Sequence, residues 1–147
     1  MVPQWSFGIR PETVQKNVNA ARDAGAQIVV LLSHNGFDVD QKLATVVTGI
    51  DVILTGHTHD AVPQALKINK TLLLSSGSHG KYLGRIDLDV KGGEVVDYSS
   101  TLIPVFSDVI TPDPEMSAHI DALRAPYEAE CNRVIGSTSG LLYRRGN

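Results

Sequence analysis

Two apolar runs that each end in histidine constrain this chain more than anything else in it. They are "QIVVLLSHNG" (residues 27–36) and "DVILTGHTHD" (residues 51–60). A short continuous apolar run bounded by turn residues reads as a strand buried on both faces, as in a parallel sheet. Between them, "DQKLATVVTG" reads as a helix with Asp40 as its cap and Gly49 as its stop. Upstream, "RPETVQKNVNAARDAGA" reads as another helix: Pro11 suits the first turn, Glu12 the positive N-terminal end, and Gly25 the stop. The order is α, β, α, β, with polar residues just past the strand carboxyl ends. In open α/β sheets ligands bind there.

After Pro63 the pattern changes. "RIDLDV" alternates with period two, "KGGE" is a hairpin turn, and "VVDYSSTLIPV" returns. "PDPEMSAHIDALRAPYEAECNRVI" reads as a helix bent at Pro126, and "GSTSGLLYRRGN" as the start of another strand. The 147 residues suffice for a domain with a core, and a net charge of −3 with no basic cluster points away from nucleic acid. No apolar run is long enough to span a bilayer. "MVPQWSFGIRPE" lacks the pattern of a signal peptide, and a single cysteine, Cys131, rules out an internal disulfide.

The histidines carry the chemistry. His34 ends the first run, and His57 and His59 end the second. If the two strands are neighbours, three imidazoles converge on one crevice. Neutral imidazole is the commonest metal-ligating side chain and suits manganese, iron, cobalt or zinc. In an extended strand His57 and His59 would point the same way; in a turn they can reach two ions, which sit roughly 3.5–4 Å apart in two-metal sites. Of the carboxylates nearby, Asp40 and Asp51 read as cap and strand-start residues. Asp60 is a candidate to hold a histidine in its tautomer. Asn35 could orient substrate or a ligand. His79, in "SSGSHGKYLG", reads as a solvent-facing turn residue that could line the cleft. His119 reads as a surface residue and Cys131 as a helix-face residue. Arg144 and Arg145 could bind an anionic substrate or form interdomain ion pairs. No bridging carboxylate is evident, so the site reads as half of a two-metal centre.

"LLSHNG" followed by "GHTHD" resembles the last two metal-binding motifs of the calcineurin-like metallophosphoesterases, in their 5'-nucleotidase branch. "LLSHNGFDVDQKLA", "GIDVILTGHTHDAVPQ", "GSHGKYLGRIDLDVKGG", "LIPVFSD", "LRAPYEAE" and "GLLYRRGN" resemble most closely the thiosulfohydrolases of bacterial sulfur oxidation, the SoxB family. That resemblance implies two metal ions, usually manganese, with His34 and His57 on the second and His59 on the first. It implies the C-terminal half of a four-layer α/β/β/α sandwich over residues 1–110, a linker helix over 111–134, and the start of a second 5'-nucleotidase-type domain at 135–147. The family's Asp-x-His, Gly-Asp and Gly-Asn-His motifs do not occur in these residues, so the chain is expected to be an internal piece of a longer protein. The implied activity is periplasmic release of sulfate from a cysteine S-thiosulfonate on a SoxYZ-type carrier. A 5'-nucleotidase or related phosphoesterase is the alternative, and a non-catalytic metal-binding domain a third reading.

Overall fold

The computed structural model describes residues 8–142. The chain divides into two compact units, Met1–Phe106 and Ser107–Asn147. In the first unit, α1 (Pro11–Asp23), β1 (Val30–Ser33), α2 (Phe37–Val46) and β2 (Val52–Thr55) follow the predicted order. β3 (Leu66–Ile68), β4 (Thr71–Ser75), β5 (Tyr82–Lys91) and β6 (Glu94–Pro104) complete it.

One sheet has the order β1-β2-β4-β3. β1, β2 and β4 are parallel, and β3 is an antiparallel edge strand. The register aligns Leu31, Ile53 and Leu73 in one row across the three parallel strands. That row faces the helices, in a core with Val18, Leu43, Ala44, Val47 and Ile50. The opposite face carries Val52, Leu72 and Leu74, which pack against Ile86, Leu88 and Tyr98 of the β5–β6 hairpin. The predicted hairpin turn holds, with Gly92 and Gly93 both at positive φ, as a two-residue turn joining right-twisted strands demands. Helices, sheet and hairpin therefore make an α/β/β stack.

β1 differs from the sequence expectation. It is not buried on both faces: Val30 is 49% and Leu32 77% exposed. Both sit on the hairpin side of the sheet, but the hairpin covers β2 and β4 and stops short of the β1 edge. Apolar composition marked the strand correctly but could not tell which neighbour covers it.

Asp51 performs the strand-start role expected of it. Its carboxylate accepts from the Val29 amide at 2.7 Å and pairs with Arg22, which also reaches the carbonyls of Ala26, Gln27 and Gly49. The ends of α1 and α2 and the starts of β1 and β2 are thereby tied together.

The second unit contains α3 (Pro114–Arg124), a 3-10 turn (Ala125–Tyr127) and the short α4 (Glu128–Cys131). Asp113 caps α3 by accepting from the Met116 amide at 2.8 Å. The break falls at Pro126, whose missing N–H and fixed φ interrupt the α ladder. His119 and Cys131 are exposed on these helices. The strand expected from residue 136 onward does not form in residues 136–142. No helix among the described residues is long and apolar enough to cross a membrane.

Candidate metal centre

The last residue of each parallel strand bears a hydroxyl, and the three lie in register: Ser33 beside Thr55, Thr55 beside Ser75. All face the helix side. Ser33 Oγ donates to Asp40 Oδ1 at 2.8 Å, and Thr55 Oγ1 donates to Asp40 Oδ2. Asn35 Nδ2 adds bonds to Asp40 Oδ1 at 3.2 Å and to Ser33 Oγ at 2.9 Å. Asp40 is fully buried.

This corrects the reading of Asp40. Asp40 is not the cap: α2 begins at Phe37 with Gly36 as its N-cap residue, so Asp40 lies inside the first turn and points down onto the strand ends. The Asn35 side-chain amide donates to the same carboxylate. A buried carboxylate must be met by donors, and here they are Ser33 and Thr55, which launch the histidine loops, together with Asn35.

Those loops also press on each other. A Cβ at Gly56 would sit 3.1 Å from His34 Nδ1, and one at Gly36 would sit 2.9 Å from Thr58 Cγ2 and 3.6 Å from His57 Cδ2. Each loop thus needs a glycine where the other loop's histidine or its neighbour approaches. Thr58 Oγ1 accepts from the Phe37 amide at 3.1 Å, which pins the second loop to the start of α2.

The imidazoles are arranged in pairs. His34 and His57 have ring centroids 5.1 Å apart at an interplanar angle of 72°. His59 lies against His79 instead, with centroids 5.4 Å apart at 81°. His57 and His59 both have positive φ, 85° and 62°. That turn is what sends two histidines one residue apart to different neighbours, as the extended alternative would not. All four rings are exposed.

The donor set fits a pair of ions in part. Two rings on one ion, each nitrogen about 2 Å from it, would have centroids roughly 4.5–5.2 Å apart for angles from right to tetrahedral. His34 and His57 fall within that range, and His59 with His79 just beyond it. No group of three or more His, Cys, Asp or Glu side chains converges among the described residues. Among the described residues no hydrogen bond joins the Asp60 carboxylate to a histidine. The Asp60 carbonyl accepts from Ser75 Oγ at 2.6 Å and from the Gly77 amide at 2.7 Å, linking the second loop to the end of β4. Arg144 and Arg145 lie outside the described residues.

Sequence reasoning allowed His79 at the cleft but did not pair it with His59. The signal was available in "SSGSHG": a third apolar strand, "TLLLS", also runs out just before a histidine.

No family model matches the chain. Among curated proteins, the trifunctional nucleotide phosphoesterase YfkN of Bacillus subtilis is 30% identical over 137 residues, 89% of this chain and 9% of that protein. Among solved structures, the sulfate thiohydrolase SoxB of Thermus thermophilus matches with a TM-score of 0.80 at 36% identity, over 84% of this chain and 23% of that one. A 5'-nucleotidase precursor, also from Thermus thermophilus, has the same fold, with a TM-score of 0.80 at 24% identity over 90% of this chain and 30% of that one. The chain spans less than a third of each of these proteins.

Proposed function

We propose, from a chain that has the sequence and fold of part of a SoxB/5'-nucleotidase-type metallophosphoesterase, that the whole protein is a periplasmic two-manganese hydrolase which releases sulfate from a cysteine S-thiosulfonate on a SoxYZ-type carrier. Proteins of this type are metal-dependent hydrolases. The observation that carries the finer reading is the likeness to SoxB, which at equal TM-score is the closer of the two Thermus structures in sequence, 36% against 24%. The 30% identity to a nucleotide phosphoesterase favours the second reading, hydrolysis of a nucleotide.

In the proposed site His34 and His57 would hold one ion and His59 the other. A pair of divalent ions held there would supply positive charge for the oxygens of a tetrahedral oxyanion and would acidify a water. Sulfonyl and phosphoryl groups share that tetrahedral, anionic shape, so one arrangement of ligands serves either. The chain's own contribution is to hold rings at fixed spacing. Asp40 locks the strand ends beneath them, and the facing glycines let the two loops close on each other. Fixed ligands lower the reorganisation needed when charge develops in the transition state.

The test is side-by-side kinetics of the full-length, manganese-loaded protein on carrier bearing a cysteine S-thiosulfonate and on AMP. Sulfate release from the carrier at the higher kcat/KM supports the sulfohydrolase. Efficient AMP hydrolysis with no sulfate release gives the case to the nucleotide phosphoesterase.

A further inference from the structure

Each of the three parallel strands delivers histidine from the loop at its carboxyl end: His34 after β1, His57 and His59 after β2, His79 after β4. His79 is the one without a role. It is held in a particular pose. Its φ is 58°, a left-handed conformation uncommon outside glycine, in the turn between Gly77 and Gly80. Its ring meets the His59 ring edge-on at 5.4 Å. Its Nδ1 lies 2.8 Å from Ser78 Oγ. Which of the two donates follows from the imidazole tautomer; with the Ser78 hydroxyl as donor, Nδ1 accepts. A neutral imidazole that accepts at Nδ1 carries its proton at Nε2. That nitrogen is then a donor and not a metal ligand. Placed beside His59, it suits an anionic oxygen.

We propose that His79 is a substrate-contacting residue whose Nε2–H donates a hydrogen bond to a terminal oxygen of the tetrahedral oxyanion, phosphoryl or sulfonyl, bound next to His59. This rests on the reading of the histidine edge as a two-metal hydrolase site. It adds a fourth imidazole to that site, with Ser78 as the positioning residue that sets its tautomer.

The experiment uses the full-length, manganese-loaded protein, with inorganic phosphate as the probe, and compares wild type with His79→Ala, His79→Gln and Ser78→Ala. Manganese content is measured by elemental analysis and phosphate binding by calorimetry. The expected result is an unchanged manganese content throughout. Loss of one hydrogen bond to a charged group should weaken phosphate binding about tenfold in His79→Ala. His79→Gln, which keeps a donor at a similar reach, should recover most of that loss, and Ser78→Ala should fall between. Unchanged phosphate affinity in His79→Ala with both ions in place overturns the proposal. Loss of an ion in His79→Ala also overturns it, because His79 is then a ligand. A wild-type protein that binds no manganese overturns the metal-centre reading itself, whatever His79 does.

Discussion

Replacing Asp40 by alanine should loosen the histidine edge without touching a histidine. The carboxylate accepts from Ser33 Oγ, Thr55 Oγ1 and Asn35 Nδ2 and has no exposure to solvent. Hydrogen bonds to a charged group contribute about 1.5–3 kcal/mol each, and leaving a buried neutral partner unsatisfied costs about 1–3 kcal/mol. Asn35 is exposed and can turn to water, so the cost falls mainly on Ser33 and Thr55. A loss of about 3–4 kcal/mol is therefore expected in Asp40→Ala, a large part of a typical domain stability of about 5–15 kcal/mol. Asp40→Asn keeps shape and one acceptor, and a hydroxyl can reverse to meet the new donor, so about 1–2 kcal/mol is expected. Native-state hydrogen exchange on the full-length protein localises the effect. Amides of the strand ends and of the loops at 33–36 and 55–58 should exchange about 10²–10³ times faster in Asp40→Ala. Exchange within a few-fold of wild type there, or an equal effect from Asn and Ala, would refute the idea that this carboxylate holds the two strand ends together.

Other outcomes follow from the same geometry. His34→Ala and His57→Ala should each remove one and the same ion, and His59→Ala the other, as read by manganese content and electron paramagnetic resonance of the full-length protein. Each should lower turnover far more than stability, since a metal that activates water contributes several kcal/mol to the transition state. Gly56→Ala puts a Cβ 3.1 Å from His34 Nδ1 and should weaken manganese binding, measurably so in a titration, while Gly80→Ala, with nothing within 4 Å, should strain only its own turn. The purified 147-residue chain should turn over neither a phosphoester nor a thiosulfonate, because it presents only imidazole pairs and no convergent carboxylate among its described residues; robust activity in a colorimetric phosphate or sulfate assay would contradict this.

Much of the fold was legible because its signals are local. "IVVLLS" and "DVILT" announced parallel strands, Pro11 and Gly25 bounded α1, and the glycine pair at 92–93 marked the hairpin. What was not legible depended on distant partners. Nothing local says that Leu32 lies beyond the reach of the hairpin, or that residues 136–142 stay out of any sheet. Asp40 looked like a cap because an aspartate before an apolar helix usually is one. Its true partners are seven and fifteen residues away in sequence. The site followed the same division. His34, His57 and His59 were picked out by their motifs, whereas the pairing of His59 with His79 depends on a backbone turn that composition does not encode.

The proposed division of the histidines between two ions is open to a direct crystallographic test. Anomalous diffraction at the manganese edge, on crystals of the full-length protein, tests it most directly. Two peaks roughly 3.5–4 Å apart are expected, one bonded to both His34 and His57 and the other to His59, with His79 unbonded to either. A single peak shared by all three histidines, or manganese bound elsewhere with these rings bare, would contradict it.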